Sequence, residues 1–205
     1  MEMTGEQLIP APQQLTWKAL NDPQMLKECV PGCESIDPIG ENQYQVLMVA
    51  RVGPVSAKFK GKLTLSDIRP ITSYSIAFEG QGGPAGFAKG GAQVRLSSEN
   101  NHQTKLAYDV KASVGGKLAQ IGSRLVDAAA KKVADDFFRN FNEKVGALHS
   151  PEGKKAAHEQ HGHEEHHPQP VPRDPDLPTA SDTTVAFFAA ASLVVVAVAL
   201  VAFFG

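Results

Sequence analysis

Cysteine is scarce in this sequence, and two cysteines are too few for most cysteine chemistry. Cys29 and Cys33 lie in the stretch LKECVPGCESI, on either side of a Pro-Gly pair. A structural zinc site takes four ligands, and the two histidines of the first 149 residues lie far along the chain. The spacing is C-x-x-x-C, whereas the redox-active motif is C-x-x-C. These facts argue against a zinc site and a redox pair, and they leave a disulfide or two free thiols beside a turn.

The sequence also lacks a strong excess of charge of either sign. It contains 20 basic and 22 acidic residues, for a formal net charge of -2. Residues 1–149 have 17 basic residues against 15 acidic ones, and residues 150–182 have 3 against 7. Because a nucleic-acid-binding domain normally carries a clear basic excess, we expect no nucleic-acid partner.

Catalytic and nucleotide-binding motifs are missing as well. No P-loop is present, and the glycines of GQGGPAGFAKGG lack the strand-then-helix context of a dinucleotide site. His102 falls at a predicted hairpin tip and His149 at a predicted helix end. Asp67, Glu79 and Asp109 lie on predicted strands, where each also fits a solvated face. Since no nucleophile has a nearby base, we predict that the protein is not an enzyme and has no catalytic residue, covalent cofactor or metal of its own.

The N-terminal stretch MEMTGEQLIPAPQQ lacks the basic and apolar segments of a secretory signal. What the chain does contain is an apolar run near its other end, VAFFAAASLVVVAVALVAFF at residues 185–204. Twenty helical residues span roughly 30 Å, the hydrocarbon thickness of a bilayer. We therefore expect residues 183–205 to form one C-terminal transmembrane helix in the cytoplasmic membrane, with the folded part in the cytoplasm. A buried core helix, the alternative, would need a partner domain around it.

Residues 150–182 are rich in proline, histidine and acidic residues and contain few large apolar side chains. Such a segment cannot offset the entropy of ordering, so we predict a disordered linker. Its histidines are His158, His161, His163, His166 and His167. They could bind a transition metal weakly, but the interleaved glutamates follow no fixed spacing and favour a solvated tract.

Residues 1–149 have the pattern of one α+β domain. A first strand over residues 1–9 is followed by two short helices and then by five or six strands with a period of two. Lys58, Lys60 and Lys62 share one face of a strand whose other face is apolar, so the sheet is predicted to be antiparallel with one wet face. The lysine row could contact an acidic partner or anionic lipid, although a solvated face is favoured.

A helical period begins at residue 117 and continues to residue 148 without a proline. About thirty helical residues are roughly 45 Å long, and only the sheet can cover them. Glycines at residues 80–91 reduce side-chain volume, so we expect an apolar cavity between the helix and the sheet. The predicted ligand-binding residues are apolar and aromatic side chains that would face this cavity: Phe59, Phe78, Phe87, Tyr108, Leu118, Ile121 and Leu125.

The stretch DPQMLKECVPGCESI, the following GENQYQV and VGPVSAKFKGKL, and the glycine-rich loop at residues 80–86 resemble the CoxG family, named for the CoxG subunit of carbon monoxide dehydrogenase. This family lies within the START-like, or SRPBCC, helix-grip superfamily, and the resemblance covers about residues 1–148. It implies an antiparallel sheet wrapped around a long C-terminal helix. It also implies an adaptor that recruits a CO-dehydrogenase-type molybdenum hydroxylase to the cytoplasmic membrane.

Because the superfamily binds hydrophobic molecules, the resemblance and the apolar tail together suggest a respiratory quinone as ligand. Tyr108 could supply a hydroxyl to a quinone carbonyl, although a tyrosine in a strand is more often simply part of the core with its tip near water. One alternative is a general lipid or hydrophobic-ligand binding protein without a dehydrogenase partner. A cyclase-like enzyme is a further alternative, and it would need a polar residue inside the cavity. The LKECVPGCESI stretch is expected to be a turn at the mouth of that cavity and a gate to it.

Overall fold

A seven-stranded antiparallel sheet makes up most of residues 1–52 and 55–149, which are the residues that the computed structural model describes. The elements follow in this order: β1 (Glu2–Ile9), α1 (Gln13–Leu20), α2 (Pro23–Cys29), β2 (Cys33–Gly40), β3 (Gln43–Val52), β4 (Val55–Arg69), β5 (Ser73–Gln81), a 3-10 turn (Gly83–Ala85), β6 (Phe87–Asn100), β7 (Gln103–Gly115), α3 (Lys117–Gln120) and α4 (Ser123–His149). The predicted linker and membrane anchor lie outside the described residues. Within residues 1–52 and 55–149, no helix has both the length and the apolar composition needed to cross a membrane.

The strands pair in the order β1-β7-β6-β5-β4-β3-β2, so all neighbours except β1 and β7 are consecutive in the chain. Every pairing is antiparallel, as predicted from the alternating pattern. Six strands follow the two short helices, at the upper end of the predicted number. The strand that the sequence marks least clearly is β2, which contains Pro38 and lies at the edge of the sheet, where a missing backbone donor is tolerated.

The two short helices after β1 are confirmed. Asp22 begins α2, because its Oδ1 accepts hydrogen bonds from the backbone N–H groups of Gln24 at 2.9 Å and Met25 at 3.3 Å, and Pro23 follows at the first helical position. Helix α1 buries Trp17. These helices therefore form a cap on the sheet.

The predicted single helix over residues 117–148 is wrong in its first turns. The chain forms α3, then breaks at Gly122, which has a φ of 94°, before α4 begins at Ser123. The 27 residues of α4 are about 40 Å long. They bury one stripe of side chains, most of which belong to the hydrophobic core: Val126, Ala130, Val133, Ala134, Phe137, Phe138, Phe141 and Val145.

One end of the sheet is sealed by α1. The Gln13 side-chain amide donates to the carbonyls of Ile71 at 2.8 Å and Leu96 at 3.1 Å, and the Thr104 hydroxyl donates to the Ala11 carbonyl at 2.7 Å. We call this end, formed by α1, the β4–β5 turn and the β6–β7 hairpin, the closed end. Helix α4 runs toward it and ends there.

Candidate functional site

The opposite end of the sheet is built by loops that meet beside the start of α4. The β5–β6 loop and the β7–α3 loop touch backbone to backbone, because a β-carbon on Gly116 would lie only 2.5 Å from the α-carbon of Gly86. We call these two loops, together with α3 and the first turn of α4, the open end. Leu125 is 50% exposed here, and Ile121 is half-buried against the core.

Most of the predicted ligand-binding residues face the interior between α4 and the sheet. Four are buried: Phe59, Phe78, Tyr108 and Leu118. Ile121 and Leu125 lie at the open end, as described above. Exposure falls from Leu125 through Ile121 to Leu118 at this end, and we call these three residues the apolar path. The role of all six residues in binding a ligand stays a prediction.

Phe87 does not share this path. Its neighbour Ala88 is buried and pairs with Val114, so Phe87 points to the outer face of the sheet. There its ring covers Gly115, its cross-strand partner, where any β-carbon would overlap it. Phe87 is 48% exposed. The expectation that it faces the interior is therefore wrong, because the register that begins at this residue turns it outward.

Aromatic rings fill much of the interior. The Phe137 ring lies 5.5 Å from that of Phe141 and 5.2 Å from that of Phe138, which in turn stacks on Tyr108 at 5.6 Å between ring centroids. The Phe59 ring lies against the backbone of Gly82, where a β-carbon would overlap it. The predicted ligand-binding set missed these helix aromatics, although the spacing of Phe137 and Phe141 by four residues is a signal for a shared helix face.

A groove of about 350 Å³ runs between β1 and α4. Tyr108 lines it together with Met3 and Gly5, and Asp127, Lys131 and Asp135 lie along its helix side. Burial, and secondarily the charge of Asp135, raises the pKa of Tyr108. The phenol thus stays protonated at neutral pH and can donate a hydrogen bond into this groove.

A second tyrosine, Tyr74, lies deep inside the core. Its ring packs edge-on against Trp17 at 5.7 Å. Burial raises its pKa, and its hydroxyl has no hydrogen-bond partner within residues 1–52 and 55–149. Burying a hydroxyl without a partner costs about 1–3 kcal/mol, so this O–H group is available to a bound acceptor. Sequence reasoning missed it, because an alternating strand pattern places Tyr74 in the core without showing whether its oxygen is paired.

The LKECVPGCESI stretch is a turn, as predicted, and Gly32 takes a φ of 75° at its centre. It is tied to two other elements. The backbone N–H of Val49 in β3 donates to the Gly32 carbonyl at 2.8 Å, and the Asn140 amide in α4 donates to the Cys29 carbonyl at 3.1 Å. Cys29 and Cys33 are free thiols. The stretch therefore joins α2 to both the sheet and α4, and its role as a gate stays a prediction.

Both thiols are expected to react slowly with alkylating agents. Burial raises the pKa of Cys29 and of Cys33 to about 11, so the reactive thiolate is rare at pH 8. At this pH, alkylation should be about a hundredfold slower than for a free cysteine, whose pKa is about 8.5. Iodoacetamide labelling followed by mass spectrometry measures this, with the same protein in denaturant as control. The rate should rise as the pH approaches 11, and equal rates in the folded and unfolded protein would contradict the burial.

The outer face of the sheet alternates basic and acidic side chains. Lys58 forms an ion pair with Glu34 at 2.7 Å, and Glu79 lies between Lys62 and Lys89 on neighbouring strands. A shallow groove of about 610 Å³ lies on this side of the sheet. Opposite charges on neighbouring strands stabilise a sheet face that is in contact with water, and contact of the lysine row with a partner stays a prediction.

Comparisons with known proteins agree with this geometry. The family model for CoxG, a subunit of carbon monoxide dehydrogenase, matches residues 5–146. A conserved protein from Geobacillus kaustophilus is 31% identical, with a TM-score of 0.69 over 73% of this chain and 98% of that one. A comparison with curated proteins gave no match.

More distant solved structures share the fold alone. TTHA0849 from Thermus thermophilus is 16% identical, with a TM-score of 0.56 over 73% of this chain and all of that one. The ZhuI aromatase/cyclase from Streptomyces sp. R1128 is 14% identical, with a TM-score of 0.55 over 75% of this chain and 98% of that one. The architecture of a sheet gripping a C-terminal helix is therefore shared across these proteins.

Proposed function

This chain belongs to the CoxG family of carbon monoxide dehydrogenase subunits, and we propose that it is a membrane-tethered adaptor that carries a respiratory quinone and recruits a CO-dehydrogenase-type molybdenum hydroxylase. The resemblance noted from the sequence is thus confirmed. Family membership and the helix-grip fold together favour a hydrophobic-ligand-binding domain. The quinone ligand, the dehydrogenase partner and the membrane tether go beyond what family membership and fold favour, and they are the proposal.

The path of apolar side chains from the open end into the core is the observation that carries this proposal. Leu125 is half exposed at the open end, Ile121 is partly buried against the core, and Leu118 is fully buried within it. Sites for lipophilic ligands are mostly apolar, with a few polar groups that fix orientation. An isoprenoid chain is apolar, as the apolar path is. Its burial there would be favourable, because it removes apolar area from water.

The polar groups of the interior suit the head of a quinone. The Tyr74 hydroxyl is buried and unpartnered within the described residues, and the Tyr108 hydroxyl lines the β1–α4 groove. Quinone carbonyls accept hydrogen bonds, and both phenols keep their protons at neutral pH because their pKa values are raised. In this proposal the domain binds and shields the ligand, while the partner carries out oxidation of its own substrate.

The proposal assigns no catalytic step to this domain. An enzyme of the cyclase kind would need an acid or base beside the ligand. The two phenols named above are weak acids with raised pKa values, so they suit hydrogen bonding better than proton transfer at neutral pH. That the protein is not an enzyme stays a prediction.

A charge at the open end is expected to remove the quinone. We predict that the full chain, extracted from membranes in mild detergent, retains about one quinone per chain by mass spectrometry. Leu125→Asp should lower this content at least tenfold, because it places a carboxylate on the apolar path. Leu148→Asp is the matched control, since Leu148 is also 50% exposed but lies at the far end of α4.

The outcomes separate the alternatives. Equal quinone in both variants would contradict entry at the open end. Phospholipid or another apolar molecule in place of quinone would support the general carrier instead. Recruitment is tested separately, because deleting residues 185–204 should move the dehydrogenase from the membrane fraction to the soluble fraction. A dehydrogenase that stays on the membrane would contradict the adaptor role.

A further inference from the structure

Two histidines that are far apart in the sequence meet at the closed end. Nδ1 of His102, at the tip of the β6–β7 hairpin, lies 3.2 Å from Nε2 of His149, the last residue of α4. Their ring centroids are 5.5 Å apart. His102 is exposed and His149 is half-buried, so both imidazoles can be reached from solvent.

The His102 side of this pair is held by the hairpin. Its backbone N–H donates to Oδ1 of Asn100 at 2.8 Å, and the Asn100 amide donates to Oε1 of Gln103 at 2.9 Å. The hydroxyl of Ser98 donates to the Asn100 carbonyl at 3.1 Å. Hydrogen bonds from an asparagine to nearby backbone groups fix tight turns. The hairpin tip therefore presents His102 in a defined place.

The His149 side is held by the packing of α4. Phe141 and Val145 are fully buried and anchor the last turns of the helix. Gly146 faces Pro10, because a β-carbon on Gly146 would lie 3.6 Å from Cγ of that proline. His149 follows Val145 by four residues and so lies on the same side of the helix. Two independent elements thus bring the imidazoles together.

The separation of the two nitrogens matches a pair of metal ligands. Zn–N bonds are about 2.0–2.1 Å long, so nitrogens 3.2 Å apart subtend an angle of about 100° at the ion, close to tetrahedral geometry. We propose that His102 and His149 form a two-histidine site for a divalent transition metal ion that prefers imidazole, with Zn²⁺ and Cu²⁺ as the best candidates.

The surroundings leave room for the other ligands. The pair borders an open pocket of about 610 Å³ lined also by Pro10, Asn101 and Gln103. Among residues 1–52 and 55–149 no group of three or more His, Cys, Asp or Glu side chains is placed to hold a metal. The two imidazoles are therefore the protein ligands of the described part, and water completes the coordination. A bound ion would fasten the hairpin to the end of α4.

The full chain is the protein to test, after the competing histidines of residues 150–182 are removed. The parent carries H158A, H161A, H163A, H166A and H167A, so its remaining histidines are His102 and His149. In detergent it should bind one Zn²⁺ per chain by isothermal titration. H102A and H149A should each weaken this binding at least tenfold, because either change leaves a single imidazole. Ser97→Ala, at an exposed position of β6 outside this pocket, should leave the affinity unchanged.

A second measurement identifies the ligands. The electron paramagnetic resonance spectrum of the parent with one equivalent of Cu²⁺ should show coupling to two nitrogens, and that of either histidine variant to one. Far-ultraviolet circular dichroism checks that the variants are folded. Binding that is absent below millimolar Zn²⁺, or equal in the parent and H102A, would overturn the site and leave an imidazole–imidazole hydrogen bond.

Discussion

Replacing Gly86 with alanine is expected to destabilise the domain by about 3 kcal/mol. Gly86 has a φ of 124° and a ψ of -156°, a region that residues with a β-carbon rarely enter. An added β-carbon would also overlap the backbone carbonyl of Gly115, which cannot move without disturbing β7. The two loops of the open end would then have to separate. The loss of stability should accompany a loss of any ligand that enters there.

Gly83→Ala is the matched control for this prediction. Gly83 also has a positive φ, 58°, but nothing lies within 4 Å of a β-carbon built there. Alanine at this position should therefore cost only about 1 kcal/mol, the conformational penalty alone. Urea unfolding can be followed by the fluorescence of Trp17, which is the only tryptophan and is buried. Equal losses in the two variants would show that the loops do not need their close contact.

Truncating Phe137 to alanine is expected to cost about 3–5 kcal/mol. Phe137 is completely buried, and its ring contacts those of Phe138 and Phe141. Removing it takes away apolar burial and leaves a void between α4 and the sheet, and the surrounding rings can fill that void only in part. The measurement is the free energy of unfolding, again from the Trp17 signal.

Phe137→Leu is the control, because it keeps most of the volume and should cost about 1–1.5 kcal/mol. The void should also give an apolar dye a new binding place, so a naphthalene-type dye should bind the alanine variant more tightly than the leucine variant. A cost below about 1 kcal/mol for alanine would mean that the ring already borders empty space. Such a result would contradict tight packing around Phe137.

Much of the fold could be predicted from local patterns, because those patterns have local causes. Alternation along β4 and β7 indicated the antiparallel strands, and Asp22 before Pro23 indicated the start of α2. The break at Gly122 was missed, because a glycine inside a helical pattern can either be tolerated there or end the helix. Its φ of 94° in the folded chain lies outside the helical region and shows that Gly122 interrupts the helix.

The candidate site was harder to predict, because it depends on register and on tertiary contacts. A shift of one residue moves a side chain to the other face of a sheet, and Phe87, the first residue of β6, was assigned to the wrong face for this reason. Phe59 lies well inside β4, and its burial followed from periodicity. The meeting of His102 and His149 could not be predicted, because each lies at the end of an element and only the packed domain brings them together.

Helix α4 begins at the open end and finishes at the closed end, about 40 Å away. The chain continues from His149, so any tether formed by the residues that follow pulls on the domain from the closed end. A domain tethered at its closed end would keep that end near the membrane, with the axis of α4 leading away from it. In the proposed adaptor the open end would therefore be the part of the domain farthest from the membrane tether.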